Sequence, residues 1–284
     1  MSTAIFKDLT PRIDIWGKEL GFQQTGIAGV DLESYEARLQ SWLSAGHHGE
    51  MEYMERHGTR RSRPAELISG TRSIITARMN YLTDTQSPET ILASDRSGYV
   101  SRYALGRDYH KVMRSRLLSL WRRIAAFLED QGETGHHGRV FTDSAPVLEK
   151  ALAEQSGLGW IGKNTLLLNR DAGSWFFLGE IYTSLPLEPD NHPATNHCGS
   201  CSACIDVCPT DAIVAPYELD ARKCISYLTI ELRGTIPEYL RRPIGNRIFG
   251  CDDCQLVCPW NKYARFTGEP DFSPRHQLDQ ASLL

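Results

Sequence analysis

The chain has 284 residues, 41% of them hydrophobic and 23% charged, with a formal net charge of −4. Such values belong to a soluble globular protein of roughly one to two domains. The opening has no basic segment followed by an apolar one, and no run of about 18 apolar residues occurs. A cytoplasmic chain without a membrane partner is therefore expected.

Near the N-terminus, Thr10 and Pro11 have the chemistry of a helix N-cap and first helical position. Ile13, Trp16 and Leu20 share one helical face, and Gly21 suits the position past its end. A short strand is predicted over 23–30, a second amphipathic helix from Tyr35, Leu39 and Trp42, and a buried strand over 72–81. Val112, Leu117, Leu118, Trp121, Ile124, Ala125 and Leu128 predict a long helix over 108–131, closed by Gly132. Residues 139–143 read as a strand feeding a helix over 145–157. A glycine-rich turn, GLGWIGKN (157–164), precedes apolar strands in TLLLN and SWFFLGEIYTSLPL. Helices alternating with strands predict a layered α/β (or α+β) domain over 1–187.

All eight cysteines fall between Cys198 and Cys258. A reducing compartment and a chain long enough to build a core argue against disulfides and for metal or redox use. CGSCSACIDVCP (198–209) is C-x₂-C-x₂-C-x₃-C-P, and CDDCQLVCP (251–259) is the same run short of one ligand, which Cys224 can supply. In two-cluster ferredoxins the cysteine before the proline ligates the other cluster. That rule assigns Cys198, Cys201, Cys204 and Cys258 to one [4Fe–4S] cluster and Cys208, Cys224, Cys251 and Cys254 to a second, with none left over. Zinc also takes Cys₄ sites built from C-x₂-C pairs, but it does not call for two runs ending in Cys-Pro. A ferredoxin-like domain is expected over 188–262, followed by a tail over 263–284. Two clusters in series pass single electrons, so the preceding domain should hold their acceptor.

Familiar acceptor motifs fit poorly. GLGWIGKN fails the P-loop spacing because Asn164 replaces the hydroxyl residue, and it follows a helix where a dinucleotide fingerprint would follow a strand. It reads either as a helix cap and turn or as backbone that must approach a large cofactor closely. Asp143, ending a predicted strand, reads as an N-cap or as a proton donor.

The stretches SRYALGRDYHK (101–111), DSAPVLEKALAEQSGLGWIGKNTLLLN (143–169), the first cysteine run, RKCISYLTIELRG (222–234) and GNRIFGCDDCQLVCPWN (245–261) resemble the epoxyqueuosine reductase family, in order and almost end to end. The resemblance implies a nitroreductase-like, cobalamin-binding first domain and a two-cluster second one. It implies reduction of epoxyqueuosine to queuosine in tRNA, the last step of queuosine synthesis, with two electrons and two protons consumed and the epoxide oxygen lost as water. It makes Asp143 the general acid, in a pocket dry enough to hold its proton. It places Arg61, Ser101, Ser226, Asp252 and Asp253 around the corrinoid, with the 163–168 backbone (Lys163, Asn164, Leu167) and Leu178 lining the same cavity. The C-terminal helical-repeat domain carried by many members is not in this sequence.

The implied partners are a tRNA anticodon stem-loop and a low-potential donor such as flavodoxin or ferredoxin, serving a monomer. Arginine runs in ERHGTRRSR (55–63), RSRLLSLWRR (114–123) and RRPIGNR (241–247) could follow RNA phosphates or simply form solvated helix faces. The pairs His47-His48 and His136-His137 read as surface histidines, and His110 as a residue of the active-site rim. Two other readings are a corrinoid reductive dehalogenase acting on a small molecule and a ferredoxin-type electron-transfer subunit.

Overall fold

The computed structural model describes residues 2–190 and 194–283. Its strands are β1 (Gln24–Ala28), β2 (Ser73–Asn80), β3 (Tyr99–Val100), β4 (Gly138–Phe141), β5 (Trp160–Ile161), β6 (Leu167–Leu168), β7 (Phe176–Thr183), β8 (Ile213–Ala215), β9 (Glu218–Leu219) and β10 (Arg247–Phe249). The principal sheet has the order β1-β2-β7-β4 with every pairing antiparallel. β2 and β7 are buried along their whole length, polar residues such as Thr76, Arg78 and Glu180 included.

Helices cover both faces of this sheet. On one, α1 (Ser2–Glu19) and the long helix α2 (Tyr109–Asp130) bury Phe6, Leu9, Ile13, Met113, Leu117 and Ile124 against Ile75, Met79, Phe177 and Ile181. On the other, α3 (Glu149–Gln155) packs Ala151 and Leu152 against Ala28, Ile74, Phe141 and Tyr182. The sheet and the helices on its two faces thus form an α+β sandwich. An antiparallel sheet lacks the parallel crossovers that gather ligands at the carboxyl ends of strands, so a site must come from the loops and from the cysteine-bearing region.

Three local expectations change. α1 begins at Ser2 and holds Pro11 in its interior, because its buried stripe of Phe6, Leu9 and Ile13 starts before Thr10. Thr10 donates its hydroxyl to the Phe6 carbonyl (3.3 Å) and caps nothing. The helix predicted over 145–157 shrinks to α3, and residues 142–148 make tight turns through Ser144 N–H to Thr142 O (2.6 Å) and Ala145 N–H to Asp143 O (2.8 Å). Leu118, counted on the buried face of the long helix, is exposed.

The cysteine-bearing region and the tail lean on the sandwich. β10 pairs with β3 in parallel. Ile225, Tyr227, Leu228, Leu240 and Ile244 form a small core against Trp42 and Met51. In the tail, Phe272 enters the main core, and Asp271 and Glu269 pair with Arg107 (2.9 Å) and Arg116 (2.7 Å).

Candidate cluster sites and active site

The eight cysteines carry no disulfide and gather in two sets. Cys198, Cys201, Cys204 and Cys258 line one small cavity of about 270 Å³ together with Lys163, Asn164 and Trp260. Burial and then the neighbouring Cys258, Cys198 and Cys201 push the Cys204 thiol up, so these four sulfurs share one field. Cys254 lies deeper. Its thiol is raised well above the ordinary value by burial, followed by Cys224, Asp252, Cys204 and Cys208, and Cys251 is raised by burial and the adjacent Asp253, with Cys254 also close. Because Cys204 faces Cys254, the two sets adjoin. Among the described residues no three His, Cys, Asp or Glu side chains converge on a single ion. A cubane asks for a wider spacing, since each of its four thiolates takes a different iron.

Lys163 and Asn164 line the small cavity, and their side chains bond to the cysteine-bearing loops. Lys163 Nζ donates to the carbonyls of Gly199 (2.7 Å) and Cys201 (2.9 Å), and Asn164 Nδ2 reaches the Cys254 carbonyl (3.5 Å). The glycine turn has a purpose internal to the fold. A Cβ on Gly159 would stand 2.1 Å from the Leu168 carbonyl oxygen across the β5–β6 hairpin, so the close approach is of backbone to backbone.

A second cavity, about 1860 Å³, opens between the sandwich and the cysteine-bearing region. Ordinary small-molecule pockets measure roughly 300–1,000 Å³, so this one has room for a macrocyclic cofactor together with a base. Arg61, Asp143 and Ser226 line it, as does Cys224 of the second set. Tyr53, Tyr103, Tyr109, His110, Glu149 and Lys150 complete the wall around Asp143. Of these the sequence reading singled out only His110; the tyrosines lie far apart in the chain and carry no motif.

The other residues expected around the corrinoid are not among those that line this cavity. Asp252 is buried and accepts hydrogen bonds from Tyr99 Oη (2.7 Å), the Arg102 amide (2.8 Å) and Ser101 Oγ. Asp253 accepts from Arg247 Nε (2.6 Å). Ser101, Asp252 and Asp253 thus satisfy one another and β10 inside the protein, and none lines the cavity. Leu167 and Leu178 sit in a separate apolar core; from that loop it is Thr165, with φ +64, that borders the cavity.

Asp143 is no helix cap. It adopts φ +50, a conformation that a non-glycine residue holds only when its surroundings enforce it. The enforcing contact is Glu149, whose Oε2 accepts the Asp143 amide at 3.1 Å. Its side chain, 53% exposed, accepts hydrogen bonds from Tyr109 Oη and lies 3.2 Å from His110 Nε2, both at Oδ2. Burial, then the Asp143 charge, pushes the Tyr109 phenol far up, so it remains a donor.

Behind this loop stand two more carboxyls. Glu180, on β7, is fully buried and neither of its oxygens has a hydrogen-bond partner; burial and the charges of Glu149 and Asp143 raise it well above the ordinary value, so it stays neutral. Glu149 keeps some surface toward the cavity, yet protein encloses its other sides. Burial first and Asp143 second push its carboxyl up to about 7. A carboxyl raised on folding favours the folded state below its unfolded value, and that contribution is lost as pH rises through the folded one. Between about pH 4.5 and 7, wild-type thermal stability should therefore decline more steeply than that of Glu149→Gln, as scanning calorimetry across that range would register.

The arginine runs are partly occupied. Arg61 is buried and donates to the Tyr53 carbonyl (2.9 Å), Arg63 pairs with Glu36 (3.0 Å) and Glu66 (3.2 Å), Arg116 with Glu269, Arg123 with Glu19 and Arg247 with Asp253. Arg56, Arg60, Arg114, Arg122, Arg241 and Arg242 of the same runs are exposed, and Arg56 also lines the large cavity.

Paired four-thiol sets adjoining a cavity that holds a candidate acid define an iron–sulfur oxidoreductase. Residues 197–261 match the family model for a 4Fe-4S double cluster binding domain, and residues 61–144 that of epoxyqueuosine reductase QueG, DUF1730. The chain is 61% identical over 276 residues to epoxyqueuosine reductase of Pseudomonas aeruginosa, covering 97% of this chain and 75% of that protein. It is 54% identical to the Escherichia coli protein, covering 97% and 71%. Among solved structures, a Bacillus subtilis epoxyqueuosine reductase with its catalytic aspartate loop swung out of the active site superposes with a TM-score of 0.85 at 31% identity, covering 98% of this chain and 72% of that one. An epoxyqueuosine reductase with an epoxyqueuosine-modified tRNA-Tyr stem loop gives 0.85 at 30%, with the same coverage. The chain belongs to the epoxyqueuosine reductase family.

Proposed function

We propose that this chain reduces epoxyqueuosine to queuosine in tRNA, with electrons entering at the Cys198/Cys201/Cys204/Cys258 cluster, passing to the Cys208/Cys224/Cys251/Cys254 cluster and ending on a cobalamin in the large cavity. One observation carries this reading: Cys224 and Asp143 line the same cavity, so electron exit and proton source face one space. Cys201 is exposed, which gives a low-potential donor of the flavodoxin or ferredoxin type a point of entry at the first set. Bound in the cavity, the corrinoid would supply a strongly reducing metal centre able to collect single electrons. Arg61 and Ser226 would hold its periphery, and Asp143 would protonate the departing epoxide oxygen, held toward the cavity by Tyr109 and Glu149.

A stem-loop suits a site that must receive a splayed base, and Tyr53 and Tyr103 of the cavity wall offer aromatic faces for it. Among the described residues no helix is long and apolar enough to cross a membrane, and a cytoplasmic monomer is the setting proposed. The test is anaerobic reconstitution with iron, sulfide and cobalamin, followed by nucleoside mass spectrometry of a stem-loop carrying epoxyqueuosine. Conversion to queuosine is expected. A protein that takes up no corrinoid would refute the cavity assignment, and corrinoid uptake with dehalogenation of an aryl halide but no nucleoside conversion would favour a small-molecule reductase.

A further inference from the structure

We propose that His110, oriented by Asp108, returns protons from solvent to Asp143 between turnovers. The proposal rests on Asp143 being the acid of the reaction proposed above. That reaction consumes two protons for each nucleoside, so an acid that gives one to the epoxide oxygen must be reloaded each time. Asp143 is 53% exposed in the open site, but a corrinoid and a nucleoside filling the cavity would displace the water around it. His110, 38% exposed at the rim, keeps its access.

The geometry forms a line. Asp108 caps α2 and accepts both the amide of His110 (3.0 Å) and its Nδ1–H (2.9 Å) through Oδ1. With Nδ1–H so occupied, Nε2 is left to face Asp143 Oδ2 at 3.2 Å. The ring is held flat on Tyr109 (4.0 Å between centroids, 28°), which is itself stacked on Phe177 (4.2 Å, 3°). Asp108 and Lys111 from its own helical turn and Asp143 from the facing loop are the charged groups around the imidazole, and Tyr109 is the other titratable one. Partial burial pushes the Asp108 carboxyl up, but the bonds from His110, with Lys111 nearby, hold it below its ordinary value, so it stays an anion.

The transfer balances without electrons. After Asp143 has donated its proton, the Nε2–H bond of the imidazolium breaks and an O–H bond forms at Asp143 Oδ2. The neutral imidazole retains Nδ1–H toward Asp108, and Nε2 regains a proton from water at the rim. Imidazole suits the task because it gains and loses a proton near neutrality. Tyr109 does not compete for this role, because its phenol holds its own proton. His110 and Asp108 act through Asp143 and are positioning residues in this sense.

In cluster- and cobalamin-loaded His110→Ala protein, the first turnover should keep its wild-type rate. Later turnovers should slow by about tenfold or more, with KM for the stem-loop unchanged and partial recovery on adding free imidazole. Independently of activity, nitrogen-15 NMR of histidine-labelled, cobalamin-free protein should show the neutral His110 ring as its Nδ1–H tautomer, a preference that Asp108→Ala abolishes. Unchanged steady-state turnover in His110→Ala overturns the relay. So does loss of the first turnover without imidazole rescue, or a His110 tautomer unchanged in Asp108→Ala. An active Asp143→Asn protein would be a different failure, that of the acid itself.

Discussion

Asp143→Asn is expected to lose queuosine formation by about 10²–10⁴-fold, the contribution of a positioned general acid, while iron content and corrinoid binding stay as in the wild type. The side chain makes no contact that the fold depends on: its partners Tyr109 and His110 are cavity-wall residues, and the structural bond to Glu149 comes from the backbone amide. Asparagine keeps that amide and the size of the side chain but cannot deliver a carboxylic proton. Iron assay, the bound-cobalamin spectrum and nucleoside analysis on one preparation separate the two effects. Turnover near the wild-type level would remove Asp143 from the chemistry.

Cys254→Ala is expected to halve the iron, by about four atoms per chain, and to stop turnover altogether. Its thiol is the most enclosed part of the second set, facing Cys224 and Cys208 and also Cys204 of the first, so its loss would break the path between the exposed set and the cavity. Corrinoid binding should survive because Cys254 does not line the cavity. The contrast with Asp143→Asn is diagnostic: one variant keeps its clusters and lacks a proton, the other keeps its acid and lacks an electron route. Full iron in Cys254→Ala would show that this cysteine is no ligand.

Much of the fold was legible along the chain. The long helix over 109–130 and the central strands over 73–80 and 176–183 announced themselves by apolar periodicity or by continuous apolar runs. The misreadings came where a local signal had a distant cause. Thr10-Pro11 looked like a helix start, but packing of Phe6 and Leu9 on the sheet outweighed the interior proline. GLGWIGKN, read either as a helix cap and turn or as backbone close to a cofactor, has Gly157 (φ +77) just past the end of α3 and Gly159 against the Leu168 carbonyl of a paired strand. The side chains of Asp252 and Asp253, expected near the corrinoid, also bond to Tyr99, Ser101 and Arg247, partners that no spacing rule would select.

What the sequence determined by itself was the redox chemistry. Ligand spacing within a cysteine run is a matter of a few residues of backbone, and eight thiols in two runs leave little else for them to do. The tertiary structure alone decided which side chains share the cavity. Its walls come mainly from five segments, around Tyr35–Trp42, Met51–Arg61, Tyr103–His110, Asp143–Thr165 and Pro216–Glu231, and they converge because an antiparallel sheet and the cysteine-bearing region bury their apolar surfaces against each other. That convergence sets Asp143 between Glu149 and His110, and beside the second set of thiols.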